Sequence, residues 1–127
     1  MSALVLDAGA LIAVDRDDRA MMARLRVAQL HGYDLRTCAI VIAQVWRSPA
    51  GKQARLAALL KAVDVRVVDE RMGREAGILQ AKAGTSDPID AAVVLVARPR
   101  DRILTSDPVD IEHLAASCGK PVTVIPC

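Results

Sequence analysis

Residues 3–10 read Ala-Leu-Val-Leu-Asp-Ala-Gly-Ala, and this stretch decides the predicted fold. The apolar run Ala3–Leu6 has the length of one buried strand, and Asp7 follows at its carboxyl end. The small residues after Asp7 would allow another group to approach the backbone closely. By itself Asp7 fits two roles, because an Asp in this position can cap the following helix or bind a ligand at the edge of a sheet.

Short apolar runs alternate with helical stretches along the rest of the 127-residue chain. Strands are predicted at residues 3–6, 35–38, 65–68, 103–105 and 122–125, and helices at residues 9–14, 17–31, 39–46, 50–62, 71–83, 87–97 and 109–118. Because the strands alternate with helices and are apolar in character, the sequence predicts a three-layer α/β/α fold around a mostly parallel, five-stranded sheet. The length fits a single domain over residues 1–127.

The composition narrows the classes of function. Hydrophobic residues make up 53% of the chain, and Tyr33 and Trp46 are the only aromatic residues, so the predicted core is aliphatic. An RNA-binding surface of stacked aromatic rings is disfavoured for the same reason. The net charge of +2 gives no large basic field. Among the acidic residues Asp outnumbers Glu, and among the basic residues Arg outnumbers Lys. An excess of Asp is typical of caps, turns and metal ligands. A GC-rich coding bias, which also favours Arg and Ala, would explain this composition equally well.

The cysteines and the amino terminus bear on the compartment. Cys38, Cys118 and Cys127 form no metal-binding spacing and indicate a reduced intracellular protein. The amino terminus turns acidic at Asp7 without a basic segment, and no apolar run reaches the length of a membrane span. We therefore expect a cytoplasmic protein with no membrane partner.

A short motif occurs twice in the second half of the chain. Residues 85–90, Thr-Ser-Asp-Pro-Ile-Asp, recur at residues 105–110 as Thr-Ser-Asp-Pro-Val-Asp, and each copy opens a predicted helix. An Asp at the N-cap, a Pro at the first helical position and a second acid in the first turn make a favourable helix start. Local reasoning alone therefore favours capping for both copies.

Three carboxylates are expected to converge at one edge of the sheet. Asp107 follows the fourth strand as Asp7 follows the first, so both face one crevice if these strands are neighbours. Asp90 lies in the first turn of the preceding helix, whose amino end can point to the same place. Such a cluster is repulsive without a cation, and its oxygen ligands suit Mg²⁺ or Mn²⁺. The isolated His31 and His113 are expected to be surface helix residues rather than zinc ligands.

Three stretches carry a resemblance to a known family: residues 4–13 (LVLDAGALIA), residues 85–97 (TSDPIDAAVVLVA) and residues 103–111 (ILTSDPVDI). In their order and spacing they resemble the PIN domain, and more closely the VapC toxins of VapBC toxin–antitoxin pairs. The resemblance covers essentially the whole chain. It implies a PIN-like fold and an endoribonuclease that uses Mg²⁺ (or Mn²⁺) to cleave RNA phosphodiester bonds. It also implies a cognate antitoxin protein as partner and a homodimer.

The resemblance further implies which residues form the site. The family's first, third and fourth acids match Asp7, Asp90 and Asp107, which are the expected catalytic and metal-binding residues. Further candidates for the metal site are Asp110, Asp87 and Gln44. The family's second acid is usually a Glu, and Gln44 stands in its place. An amide brings no charge, so this departure implies weaker metal binding, transfer of the role to another acid, or lost catalysis.

Other residues are expected to hold the RNA or to support the acids. The candidates for phosphate contacts, in predicted loops and helix ends, are Arg16, Arg19, Arg47 and Lys52. With few aromatic residues, we expect recognition of a structured RNA by shape and phosphate contacts. Thr105 and Ser106 are candidates for orienting a carboxylate, although local backbone bonding explains them equally well. The rival function is a catalytically weakened or inactive PIN domain that binds RNA or protein, and Gln44 is its evidence.

Overall fold

The central sheet has five parallel strands in the order β3-β2-β1-β4-β5. The computed structural model describes residues 2–49 and 51–127. The strands are β1 (Ala3–Leu6), β2 (Asp34–Cys38), β3 (Val63–Arg66), β4 (Arg102–Thr105) and β5 (Thr123–Pro126). The strand order runs outward from β1 to β3 and then returns to the other side of β1. The predicted five-stranded α/β sheet is therefore confirmed, and it is parallel throughout.

Seven helices connect the strands of the described chain and complete the three layers. They are α1 (Ala8–Asp15), α2 (Arg19–Leu30), α3 (Ala39–Val45), α4 (Ala54–Leu60), α5 (Glu70–Ala83), α6 (Pro88–Val96) and α7 (Pro108–Ser117). Right-handed crossovers place the helices that follow β1 and β2 on one face of the sheet and those that follow β3 and β4 on the other. Accordingly, α2 packs on β2 and α4 on β3, whereas α6 packs on β1 and β2 and α7 on β5.

The core is aliphatic, as the composition predicts. It joins the fully buried β1 to the apolar side of α1 and to the buried run of α6, which includes Ala91, Val93 and Val94. The helix predicted at residues 87–97 is observed as α6, and it is buried on most sides. Within the described residues, no helix combines the length and the apolar character that crossing a bilayer requires.

Most predicted boundaries agree with the structure within one residue, and the third strand and the helix predicted at residues 50–62 are the clearest exceptions. The third strand is predicted at residues 65–68 but lies at Val63–Arg66, because pairing with β2 begins at Leu35↔Val63 and ends at Cys38↔Arg66. On this edge strand Asp64 and Arg66 alternate with valines, while Val67 and Val68 leave the sheet and are 70% and 48% exposed. The helix predicted at residues 50–62 begins at Ala54; the predicted start, Ala50, lies outside the described residues.

The second strand is not apolar throughout, contrary to the prediction. Arg36 is buried in its middle, where its Nη1 donates to Asp101 Oδ2 at 2.7 Å and to the Val96 carbonyl at 3.0 Å. The same carboxylate accepts from the backbone N–H groups of Ala3 and Arg98. This paired and hydrogen-bonded charge ties β1, β2 and the end of α6 together. A single Arg in a short strand gives no sequence signal for a partner that lies 65 residues further along the chain.

Candidate metal centre at the switch point of the sheet

The candidate site lies where the strand order reverses, between the carboxyl ends of β1 and β4. These two strands are neighbours, with Leu6 paired to Leu104, as the convergence of the acids requires. The backbone N–H of Asp7 donates to the Leu104 carbonyl at 3.0 Å, so Asp7 is fixed to the end of β4. In doubly wound sheets a ligand crevice opens at this position.

Asp7 both caps a helix and belongs to the site. Its Oδ1 accepts from the Ala8 N–H at 2.8 Å at the start of α1, and its Oδ2 accepts from the Thr105 hydroxyl at 2.7 Å. The residue is only 5% exposed. The two roles that the sequence left open are therefore compatible, because each carboxylate oxygen takes one of them and retains further lone pairs.

Thr105 connects two of the predicted acids. Its hydroxyl is fully buried, donates to Asp7 Oδ2 and accepts from the Asp107 N–H at 2.9 Å. Since a hydroxyl has one donor and two acceptor positions, this arrangement fixes its direction. Thr105 thereby sets the distance between the end of β1 and the first turn after β4.

The two copies of the repeated motif differ in their capping. Asp87 caps α6, and its Oδ1 accepts from the N–H groups of Ile89 and Asp90 at 2.9 and 3.1 Å. Asp107 occupies the same position before α7, but its side chain makes no capping hydrogen bond within the described chain. The predicted helix start is thus confirmed in both copies, but the capping hydrogen bond forms only in the first, and the Asp107 carboxylate is free to bind a ligand.

Asp90, Asp107 and Asp110 form a close group. Each offers a carboxylate oxygen, and the three oxygens lie within 4.8 Å of one another. Asp90 is buried, whereas Asp107 and Asp110 are exposed. Asp7 is not part of this tight group. The group consists entirely of hard oxygen donors, which fits Mg²⁺ or Mn²⁺ better than zinc.

The electrostatics of the group also favour a cation. The pKa of Asp90 is raised from 3.8 to about 7, first by burial and then by the charges of the neighbouring carboxylates, which are, in order of size, Asp87, Asp7, Asp107 and Asp110. The Asp90 carboxylate accepts no hydrogen bond from the described residues that would offset this cost. A carboxyl group that is desolvated and surrounded by like charges is typical of functional sites and of cation sites that compensate the repulsion.

Gly9 allows a close approach at the start of α1. A Cβ atom at this position would lie 2.9 Å from Ser106 Oγ and 3.2 Å from Cys127 Sγ. With a Cβ at this position Ser106 would have to shift, so glycine lets the first turn of α1 pack closely against the loop after β4. The expectation that small residues after Asp7 admit another group is confirmed, and the group is Ser106.

Gln44 and the basic candidates lie on helix ends and loops. Gln44 is exposed on α3, and its side-chain amide makes no hydrogen bond to the described residues. Arg47 donates from Nη1 to the Ala43 and Trp46 carbonyls and from Nη2 to the Gln44 carbonyl, so its guanidinium caps the end of α3. The other candidates are exposed: Arg16 at the end of α1, Arg19 at the start of α2, and Lys52 in the loop before α4.

The loop that carries Arg47 and Lys52 is organised by a residue that the sequence analysis missed. Gln53 is 8% exposed, and its Oε1 accepts from the N–H groups of Arg47 and Ser48. Its Nε2 donates to Asp15 Oδ2 and to the Val45 carbonyl, both at 3.1 Å. A glutamine just before a helix carries no pattern that distinguishes it from a surface residue, so sequence reasoning had no signal for this role.

The two histidines lie outside the acidic group. His31 is the C-cap residue of α2, and the ring Nε2 of His113 lies 2.7 Å from the Ala83 carbonyl at the end of α5. Both are exposed. The prediction that they are surface helix residues is confirmed.

The parallel sheet, the reversal at β1 and the acids beyond β1 and β4 define a PIN-like three-layer α/β fold. Comparison with solved structures agrees: the chain is similar to one in the crystal structure of VapBC2 from Rickettsia felis bound to a DNA fragment from their promoter. The TM-score is 0.67 at 11% sequence identity, over 98% of each chain. At this identity the likeness confirms the fold. No family model and no curated protein sequence matches the chain.

Proposed function

We propose that this protein is a VapC-like PIN-domain toxin, a divalent-metal-dependent endoribonuclease. The observation that carries the proposal is the group formed by Asp90, Asp107 and Asp110 at the switch point, with oxygens within 4.8 Å of one another. The fold shared with a chain of the VapBC2 structure supports the family, and the resemblance of the acidic motifs supports the reaction.

The carboxylates of the group would together bind Mg²⁺. Asp107 and Asp110 offer accessible oxygens, and Asp90 offers a buried one whose ionisation a cation would favour. Asp7 adds a fourth negative charge, which is held in place by Thr105 and by the start of α1. When bound, a divalent cation would activate water for attack and neutralise charge on the scissile phosphate.

We assign substrate binding to exposed basic side chains at helix ends and in a loop. Arg16, Arg19 and Lys52 are exposed, and a guanidinium or an ammonium group can contact phosphate oxygens. Arg47 contributes through the ordered end of α3, where Gln53 holds the loop. With only two aromatic residues in the chain, the substrate is a structured cellular RNA read by shape rather than by stacking.

RNA cleavage assays test the reaction. We expect cleavage of a structured RNA, such as an unmodified transfer RNA transcript, in Mg²⁺ and its loss in EDTA. Asp7→Asn and Asp107→Asn should each abolish cleavage, while Asp87→Asn, which preserves an N-cap residue, should retain it. Cleavage that persists in EDTA or in both inactivating variants would contradict the nuclease proposal.

The proposed partners are a cognate antitoxin and a second copy of the chain, in the cytoplasm. Co-expression with the protein encoded immediately upstream, followed by affinity purification, should yield a stable complex in which RNA cleavage is suppressed. Size-exclusion chromatography with light scattering should give a dimer mass for the chain alone. A monomer at all concentrations would refute the homodimer, and failure to form a complex would count against the toxin role.

A second candidate function is a catalytically weakened or inactive PIN domain that binds RNA or protein. The observation that favours it is Gln44, an exposed amide where the family usually carries a Glu. The two candidates are separated by Gln44→Glu. If the native site is only weakened, this variant should lower the Mg²⁺ concentration needed for cleavage; if the native chain and Gln44→Glu both lack cleavage, the binding function is favoured.

A further inference from the structure

An open groove runs along the flank of α2 that faces β4 and β5, and we call it the α2–β5 groove. Its helical wall includes Arg24, Val27 and His31, which share one face of α2 at helical spacing, and its floor includes Leu104 and Ile125. The groove encloses about 380 Å³. It is therefore within the size range of ligand sites, and it is partly open to solvent.

The groove exists because the sheet is covered unevenly. On the opposite face α7 packs on β5. On the α2 side, α2 packs on β2 and α1 on β4, so β5 has no closely packed helix of its own on that side. Val27 on its wall is 51% exposed. In three-layer folds the apolar face of a sheet is buried against helices. A further helix beside α2 would complete this layer.

The charged side chains that line the groove are all basic. Two guanidinium groups flank its apolar floor, Arg24 from α2 and Arg102 from β4, and no Asp or Glu is among the described residues that line it. Neither arginine takes part in any of the ion pairs of the described chain. Arg24 makes only a long contact of 3.5 Å to the Pro126 carbonyl, and Arg102 lies over the Tyr33 ring at 5.0 Å.

A second copy of this chain is a poor occupant. The helix that would meet the groove in a symmetric pair is α2 itself, whose sequence RAMMARLRVAQL contains three Arg and no acid. Such a pair would place guanidinium groups against guanidinium groups around a two-fold axis, which is unfavourable. An occupant that presents carboxylates would instead find two partners for them.

We propose that the α2–β5 groove is a docking site for an amphipathic helix of another protein, with aliphatic side chains on one face and Asp or Glu beside them. The aliphatic face would cover Val27 and the sheet, and the carboxylates would pair with Arg24 and Arg102. This helix-in-groove contact is separate from the acidic group, and it does not depend on the proposed nuclease activity.

Synthetic peptides provide the probe. Two labelled peptides of about 14 residues, long enough to lie along the whole of α2, carry the same leucines at helical spacing. The remaining positions are glutamate in one peptide and lysine in the other. Fluorescence anisotropy with the intact protein should show saturable binding of the glutamate peptide, weakened by salt, and no saturable binding of the lysine peptide.

Substitutions on the two flanks of α2 locate the site. Arg24→Glu with Arg102→Glu should weaken binding of the glutamate peptide about tenfold or more, since two ion pairs become repulsive. Val27→Asp, an exposed position, should also weaken it. Arg26→Glu is the matched control, because Arg26 lies on the other flank of α2, in the groove toward α4, and should leave binding unchanged. Circular dichroism would verify that each variant is folded.

The outcomes separate the occupants. Equal binding of both peptides, or no binding of the glutamate peptide, would overturn the proposal. An Arg26→Glu effect as large as that of the groove variants would move the site to the other flank of α2. Self-association of the native protein that Val27→Asp abolishes would identify a second copy as the occupant instead. Loss of peptide binding in the groove variants with unchanged RNA cleavage would keep the inference distinct from the proposed function.

Discussion

Replacing Asp90 by Asn should stabilise the metal-free protein at neutral and alkaline pH. Asp90 is 6% exposed, and its pKa is raised to about 7 by burial and by the surrounding carboxylates. Asn has nearly the same shape, carries no charge and offers amide donors to the neighbouring acids. The variant therefore removes the unfavourable ionisation while it keeps the packing of the first turn of α6.

The sign of the pH dependence follows from the two pKa values. Asp90 has an ordinary pKa of 3.8 in the unfolded chain and a pKa of about 7 when folded. Between these values the folded protein holds a proton that the unfolded chain has lost, so the free energy of unfolding falls as pH rises. The stabilising effect of the protonated carboxyl is complete below pH 3.8 and is lost by the time pH has passed about 7.

The size of the effect follows from the same interval. The window from 3.8 to about 7 covers roughly three pH units, and each unit is worth about 1.4 kcal/mol. Asp90→Asn and the native chain should therefore have similar free energies of unfolding near pH 4, and the variant should be more stable by about 4 kcal/mol at pH 8. Since the other acids remain in both proteins, the difference isolates Asp90.

Urea unfolding followed by circular dichroism, in EDTA and at several pH values from 4 to 8, measures this difference. Glu112→Gln is the control for a carboxyl-to-amide change at an exposed site on α7, and it should change stability little at any pH. Adding Mg²⁺ at pH 8 should stabilise the native protein more than the variant, because a bound cation offsets the charge of Asp90. A variant that is equally stable, or less stable, than the native chain at pH 8 would refute the reasoning.

Three further predictions test the surroundings of the site. Thr105→Val should lower the free energy of unfolding by about 1–3 kcal/mol, because a buried oxygen of Asp7 loses its hydrogen-bond donor. Thr105→Ser keeps the hydroxyl and should retain most of the native stability. An equal loss of stability in both variants would contradict the hydrogen-bond argument. Asp87→Ala should lower the free energy of unfolding by about 1 kcal/mol and leave RNA cleavage intact, because Asp87 caps α6. Asp107→Ala should abolish cleavage and change stability by no more than about 0.5 kcal/mol. The reverse pattern would show that the capping assignment is mistaken. Gly9→Ala should destabilise the protein by about 1–3 kcal/mol, because its Cβ would lie 2.9 Å from Ser106 Oγ. Adding Ser106→Gly should restore part of the lost stability, as measured by thermal unfolding. An unchanged stability of Gly9→Ala alone would refute the close packing.

The fold could be predicted where the local sequence pattern and the tertiary environment favour the same type of residue. The run Ala3–Leu6 is apolar because it is covered on both faces, so its bounds could be predicted without error. The edge strand β3 obeys a different rule, since Asp64 and Arg66 face solvent and the more apolar pair Val67 and Val68 lies beyond the sheet. Buried polar residues escaped prediction for a related reason. Arg36 acquires its partner only through tertiary contact, and such contacts leave no local pattern in the sequence.

The repeated motif marks the point at which sequence reasoning about the site stops. Residues 85–88 and 105–108 are identical, Thr-Ser-Asp-Pro, so no local rule can give the two Asp residues different roles. The difference arises at the threonines. Thr105 is held by Asp7 and accepts the Asp107 N–H, whereas the Thr85 hydroxyl has no hydrogen-bond partner in the described chain and the Asp87 carboxylate caps its helix itself. The first acid of the site, Asp7, therefore fixes through Thr105 the turn in which Asp107 remains uncapped. The metal-binding role proposed for Asp107 depends on the pairing of β1 with β4, whereas the local sequence pattern alone would assign Asp107 to capping.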